Sequence, residues 1–195
     1  MRGIIFGNFY CHLSLGYFFS QARNLVSEVD TPWSGMASRV VRVALARKDC
    51  SYSRLSEALV SVGVKESESA LASRVSRGRI RLALLLQIFS VTNSKAPQLW
   101  SAALAQSGKW EERAAAVVAA ELSRHPTVSV TELAQRMLRL GADLTEKTLV
   151  SHLTHGTISL PAFLQALVAL GSTSLDYYVD YDDLVTAFEA PPAVA

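Results

Sequence analysis

One helical pattern occurs twice in this chain, and the second copy follows the first at a spacing of 78 residues without a gap from Ser51 to Asn93. Under this spacing Gly63 falls on Gly141, and Gly78 falls on Gly156. The other matched pairs are Glu68 and Glu146, Leu71 and Leu149, Ser73 and Ser151, Ile80 and Ile158, Leu82 and Leu160, and Leu86-Gln87 and Leu164-Gln165. A repeat of this length indicates a duplicated structural unit, so the fold has to accommodate two similar halves.

Each copy predicts four or five helices. The first three helical patterns of each copy have an apolar stripe at helical spacing, whereas the fourth, over 82–91 and 160–170, is nearly all apolar. Such a helix is typically buried on all sides. A fifth helix is predicted after Pro97, over 98–109. No alternating strand pattern competes, so the fold class is predicted to be all-α. We divide the chain into an apolar N-terminal extension over 1–32, a basic repeat over 33–106 and an acidic repeat over 107–190.

The third helix of the first copy is the most distinctive stretch, and it lies within SESALASRVSRGRIR, residues 67–81. Leu71 and Val75 stand one helical turn apart and form an apolar stripe, while Ser69, Ser73, Ser76 and Arg77 fall on the opposite side. Ser67 is placed to cap the N-terminus, and Gly78 is placed for a left-handed C-cap. The stretch therefore predicts a short helix whose outer face is free to contact something polar.

The charge of the chain is unevenly divided between the two copies. Residues 36–93 hold ten Lys or Arg against four Asp or Glu, a balance of +6, whereas residues 94–195 hold seven against eleven, a balance of −4. Four arginines of the first copy cluster at its third helix, at Arg74, Arg77, Arg79 and Arg81. Only the first copy has the basic balance expected of a surface that contacts phosphates.

These residues resemble the phage-repressor type of helix-turn-helix, the lambda-repressor-like superfamily. The residues that carry the resemblance are Leu55-Ser56-Glu57, Gly63-Val64, Ser67, Ala70-Leu71, Arg74-Val75, Arg77-Gly78 and 82–88, and the second copy keeps Leu133-Ala134, Gly141, Leu149, Leu153 and Gly156. The resemblance covers about 43 residues in each copy. It implies tandem four- to five-helix units with a helix-turn-helix-like core. The chain is also similar to an uncharacterised bacterial family of duplicated helical domains of unknown function.

The helix-turn-helix resemblance implies that the first copy binds double-stranded DNA and regulates transcription or a mobile element. Base edges would be contacted by Ser69, Ser73, Arg74 and Arg77, and phosphates by Lys65, Arg79 and Arg81. The alternative is a helical protein interaction module that binds no nucleic acid and presents its basic surface to an acidic protein.

The second copy lacks the arginine cluster, because His155, Thr157 and Ser159 stand where the first copy has Arg77, Arg79 and Arg81. We expect it to pack or to bind a partner, including a second copy of the chain, and a weak second DNA reader is the alternative. The spacing of His152 and His155 is compatible with a metal, but no Cys, Asp or Glu nearby completes a site, so none is expected. Catalytic and cofactor-binding motifs are also missing, and we expect neither an enzyme nor a cofactor.

Residues 1–35 differ from the rest of the chain, since residues 3–20 form an apolar run with few charges. A membrane anchor is one interpretation of this run, but polar and small residues interrupt it. We prefer a loosely packed extension, or a stretch ahead of a true start at Met36. The chain contains only Cys11 and Cys50, which is too few for a disulfide framework, and a cytoplasmic location is expected.

Overall fold

The structure is a computed structural model that describes residues 31–189, and the predicted apolar run at 3–20 lies outside them. The described residues form ten α-helices, one 3₁₀ helix and no strand, which confirms the all-α prediction. The first repeat contains α1 (Pro32–Ala46), α2 (Tyr52–Val60), α3 (Glu68–Ser76) and α4 (Leu82–Val91). The second contains α6 (Trp110–Ser123), α7 (Val130–Arg139), α8 (Glu146–His155) and α9 (Leu160–Leu170). Between them lie a 3₁₀ helix (Gln98–Trp100) and α5 (Ser101–Leu104), and α10 (Tyr181–Glu189) follows.

Hydroxyl side chains determine where most of these helices begin. At α3 the Ser67 side chain accepts a hydrogen bond from the backbone N–H of Ala70 at 3.2 Å, which confirms the predicted N-cap. Thr145 caps the equivalent helix α8 in the same way. Such a cap satisfies one of the N–H groups that the first turn of a helix leaves unpaired. The predicted fifth helix is shorter than expected and ends at Leu104, because the Ser-Gly pair that follows favours helix poorly.

The fourth helices form the centre of the molecule. Every residue of α4 from Leu82 to Phe89 is buried, and most of α9 is buried as well. This confirms the prediction made from their apolar sequences. Helices of this kind need apolar neighbours on all sides, and α4 and α9 also contact each other.

The first helix of each repeat packs against the fourth helix of the other repeat. Helix α1 lies on α9 of the second repeat, and α6 lies on α4 of the first repeat. Each first helix also contacts the third helix of its own repeat, α1 with α3 and α6 with α8. Each repeat therefore completes the core of its neighbour, and the buried residues of both form one continuous hydrophobic cluster.

A reciprocal pair of backbone hydrogen bonds joins the two repeats at the entry to their fourth helices. The N–H of Leu82 donates to the carbonyl of Ile158 at 3.0 Å, and the N–H of Leu160 donates to the carbonyl of Ile80 at 2.6 Å. Both donors and both acceptors are equivalent under the 78-residue spacing. Such reciprocity is the mark of an isologous, two-fold interface, here formed within a single chain.

Two aromatic residues, Trp100 and Tyr178, make further contacts between the repeats, and they are equivalent under the 78-residue spacing. Trp100 is fully buried against Phe163 of the second repeat, and its indole N–H donates to the buried carboxylate of Glu121 at 2.5 Å. Tyr178 stacks on Phe89 of the first repeat, and its hydroxyl donates to the carbonyl of Lys95 at 2.7 Å. The segment after each repeat is thus anchored on the opposite repeat.

Helix α1 begins before Met36. Its N-cap is Thr31, whose side chain accepts from the N–H of Ser34, and Trp33 in its first turn is buried. A chain that started at Met36 would lack this cap and this core residue, and the suggested start at Met36 stays a prediction. Within residues 31–189 no helix is long and apolar enough to cross a membrane.

Glycine is required at the end of each third helix because the backbone of the first helix passes directly beside it. Gly78 has a φ of +63°, and a Cβ there would overlap the backbone of Ser34. Gly156 has a φ of +66°, and a Cβ there would overlap the backbone of Glu111 and Ala115. At both positions the backbone is left-handed and another backbone segment lies too close for a Cβ, so only glycine fits without strain.

We therefore expect Gly78→Ala and Gly156→Ala each to lower the free energy of unfolding by about 2–5 kcal/mol, the sum of a left-handed alanine and steric overlap. Gly141→Ala is the matched control, since its φ is +79° but nothing lies within 4 Å of the added Cβ. It should cost only about 1–2 kcal/mol. Urea unfolding measures all three variants, and equal losses would show that the close approach is unimportant.

Candidate nucleic-acid interface

Helix α3 has the two faces that its sequence predicts. Leu71 and Val75 are fully buried, whereas Ser69, Ser76 and Arg77 are exposed to solvent. The helix is short, and its inner face rests on α1 and α2. Its outer face is consequently held in a fixed position and available for contact.

Five of the seven residues predicted to contact DNA line one shallow depression beside α3. They are Lys65, Ser73, Arg74, Arg77 and Arg79, and they surround the depression together with Glu66, Ser67 and Ala70. Ser69 is exposed on the same helix but lies outside the depression, with its hydroxyl 3.2 Å from that of Ser67. Arg81 lies in a separate cleft between the repeats, which Arg79 also reaches.

An acidic residue lies among these cations. Arg74 forms an ion pair with Glu66, whose side chain is only 19% exposed. The second carboxylate oxygen of Glu66 is buried and has no hydrogen-bond partner among residues 31–189. Arg74 is thus partly neutralised within the protein and is not a free cation.

Arg77 folds back onto its own helix. Its Nε donates to the carbonyl of Ser73 at 3.2 Å, and a terminal nitrogen donates to the Ser73 hydroxyl. The guanidinium is nevertheless exposed. To contact a ligand, Arg77 has to break its hydrogen bonds to Ser73 and form new ones to the ligand.

Arg79 and Arg81 have no side-chain partners within the described residues. Both are exposed, and neither makes a side-chain hydrogen bond or ion pair to any other residue of the described range 31–189. Arg81 precedes α4 and forms the antiparallel bridge with Ser159, so the reciprocal joint between the repeats fixes its backbone. Lys65 is exposed at the edge of the depression.

Two other cations of the first repeat are engaged by the acidic and aromatic segment that follows α9. Arg39 pairs with Asp183 at 2.5 Å, and the guanidinium of Arg47 lies 3.9 Å from the centre of the Tyr177 ring. Arg39 and Arg47 are therefore not free to contact phosphates, whereas Arg42, Lys48 and Arg54 of the same repeat make no ion pair within residues 31–189.

The equivalent surface of the second repeat lacks the arginine cluster, and Asp143 stands there at the position of Lys65. His155, at the position of Arg77, donates from Nδ1 to the carbonyl of Ser151 at 2.8 Å. His152 lies 2.7 Å from the hydroxyl of Thr157 through its own Nδ1. The histidines are therefore engaged in hydrogen bonds on and just beyond α8, and residues 31–189 contain no group of three or more His, Cys, Asp or Glu arranged to hold a metal.

Glu66 is the residue of this site that the sequence reasoning missed. It precedes the cap of α3, and its partner Arg74 stands two turns farther along, so no simple helical spacing connects them. The one available signal is the 78-residue spacing, which places Glu66 opposite Leu144 and so marks a position where the copies differ in charge.

Comparison with known protein families assigns the chain to one of them. Residues 33–97 and 110–175 both match the model of a family described as Domain of unknown function (DUF6471). The two matches span more than half of the chain, which belongs to this family of repeated helical units. Neither the comparison with curated proteins nor the comparison with solved structures gives a match.

Proposed function

We propose that this protein is a non-enzymatic, DNA-binding regulatory protein that reads double-stranded DNA through α3 of the first repeat. Helices α2 and α3 pack against each other, and Gly63 adopts a φ of +87° in the connection between them. Two packed helices joined by a glycine-containing turn are the arrangement in which a helix-turn-helix presents its second helix to the major groove.

The observation that supports this proposal most is the clustering of cations and serines on the exposed side of α3. Arginine can donate two parallel hydrogen bonds to guanine, and serine hydroxyls can donate to or accept from base edges and phosphates. The depression that contains Ser73, Arg74 and Arg77 supplies both kinds of group.

The contacts of the arginines suggest different roles for them. Arg77 is the C-cap of α3, and the side-chain bonds that it makes within residues 31–189 are exposed bonds to Ser73, so it can turn outward to a base at small cost. Arg79 and Arg81 follow the helix and have no side-chain partner in the part of the chain that the structure describes, which suits them to phosphates. Arg74 contributes only when its pair with Glu66 opens.

The second repeat has a different role in this proposal. The internal two-fold relates α8 to α3, as it would in a symmetric dimer of helix-turn-helix proteins. The loss of the arginine cluster from α8 and the acidic balance of the second repeat favour a role in packing or in binding a protein partner, because phosphate repels acidic surfaces.

Fluorescence anisotropy of labelled duplex DNA with the full-length chain, over a salt series, tests the proposal. We expect affinity to fall steeply with salt, and Arg77→Ala to weaken binding to a preferred sequence by about 1–3 kcal/mol. Arg81→Ala should weaken all sequences similarly and reduce the slope of log affinity against log salt by about 1.

Arg124→Gln is the matched control for these variants. Arg124 is an exposed arginine of the second repeat, far from α3 in the sequence and outside the depression. This change should leave affinity nearly unaltered. Absence of duplex binding at low salt by a folded chain would overturn the proposal and favour the rival, a helical module whose basic surface binds an acidic protein.

The ion pair of Glu66 generates a further prediction. Glu66→Gln removes a negative charge from the depression and releases Arg74, so affinity for duplex DNA should rise several-fold at low salt. Glu57→Gln, at an exposed position of α2, changes the net charge equally and should have a smaller effect. Equal effects of the two changes would show that only net charge matters.

A further inference from the structure

We propose that the cleft between the two repeats binds a small organic carboxylate with an apolar body. The cleft has a volume of about 310 Å³ and lies where the third helix of the first repeat ends beside α9. This volume is at the lower end of the range of small-molecule sites, roughly 300–1,000 Å³.

Both repeats build the walls of the cleft, and these walls are largely apolar. The first repeat contributes Trp33 and Ile80, and the second contributes Leu144, Pro161 and Ala162. Leu144 is 41% exposed and is one of three large hydrophobic residues exposed within the described part of the chain. An apolar ligand would cover it.

Gln165 supplies an unused polar group inside this apolar cleft. Its side chain lines the cleft and is only 7% exposed, yet it makes no hydrogen bond to any residue between 31 and 189. Its counterpart in the first repeat, Gln87, is buried to a similar degree and donates to the carbonyl of Val62 at 3.3 Å. The Gln165 amide therefore remains open to the cleft, where it is free to hydrogen-bond to a ligand, whereas Gln87 is already engaged.

The charges at the cleft favour an anion. Arg79 and Arg81 both line it without an ion-pair partner in the described chain, against the single acidic residue Asp143. Guanidinium groups bind carboxylates through paired hydrogen bonds.

The inferred site also offers a means of regulation, and this part rests on the proposed function. A carboxylate held by Arg79 and Arg81 neutralises the two cations assigned to phosphates, so the ligand and duplex DNA should weaken each other's binding by the same factor. Binding of the ligand itself does not depend on DNA and is measured without it.

The test uses the full-length chain and a series of arylalkanoic acids from phenylacetate to 6-phenylhexanoate, followed by ligand-observed NMR and calorimetry. We expect at least one acid to bind at millimolar concentration or tighter, and its neutral amide to bind more weakly. Gln165→Met should reduce its affinity several-fold without lowering stability, because no hydrogen bond within the described chain is lost. Arg79→Gln and Arg81→Gln should each reduce it, and Asp143→Asn should increase it.

Gln87→Met is the matched control, since it removes a buried amide from the other repeat and should lower stability while leaving ligand affinity unchanged. No binding by any acid of the series, or binding that Gln165→Met and Arg81→Gln leave intact, would overturn the inferred site. If an acid binds in the cleft but the protein does not bind DNA, the inferred site stands. Only its regulatory role is then ruled out.

Discussion

The packing of each first helix on the opposite repeat is the constraint on which the rest of this structure depends. Helices α4 and α9 are almost entirely apolar, and neither repeat has enough helices of its own to cover its fourth one. The reciprocal backbone bonds at Ile80 and Ile158 fix the register of this exchange. Removal of either first helix would expose the apolar surface of the other repeat, so the two halves stabilise each other as subunits of an obligate dimer do.

Within this symmetric core some buried positions keep the same residue, as at Ile80 and Ile158, because close packing tolerates little change of volume. Others change size, as at Ile88 and Ala166, so the two halves of the core are similar but not identical. Outside the core nothing imposes symmetry. The position that carries Glu66 in one copy carries Leu144 in the other, and the arginines beside the depression of the first repeat are replaced by histidine and threonine in the second. Duplication thus produced one scaffold with two chemically distinct faces.

The sequence predicted those parts of the fold that depend on local interactions. The Ser67 cap and the buried fourth helices follow from the chemistry of one or two helical turns, and the internal repeat gives the correspondence between the copies. It did not predict which copy's fourth helix each first helix would cover, because both are equally apolar. The pair between Arg74 and Glu66 escaped prediction for a related reason, since it depends on how the connection before α3 folds back. The sequence was sufficient to predict that most of the cations lie beside α3. It did not predict that Arg81 lies in a separate cleft between the repeats.

Because each first helix packs on the opposite repeat, cutting the chain between the repeats would not give two independent domains. The segment between the repeats looks like a linker between independent units, and the two family matches stop on either side of it. Yet a chain cut near Gly108 would yield two fragments, each with one side of its fourth helix exposed and with a first helix that packs on the fourth helix of the other fragment. Such fragments would be halves of a heterodimer that must find each other in solution. The intact polypeptide keeps them at a high effective concentration, so its internal interface does not come apart on dilution.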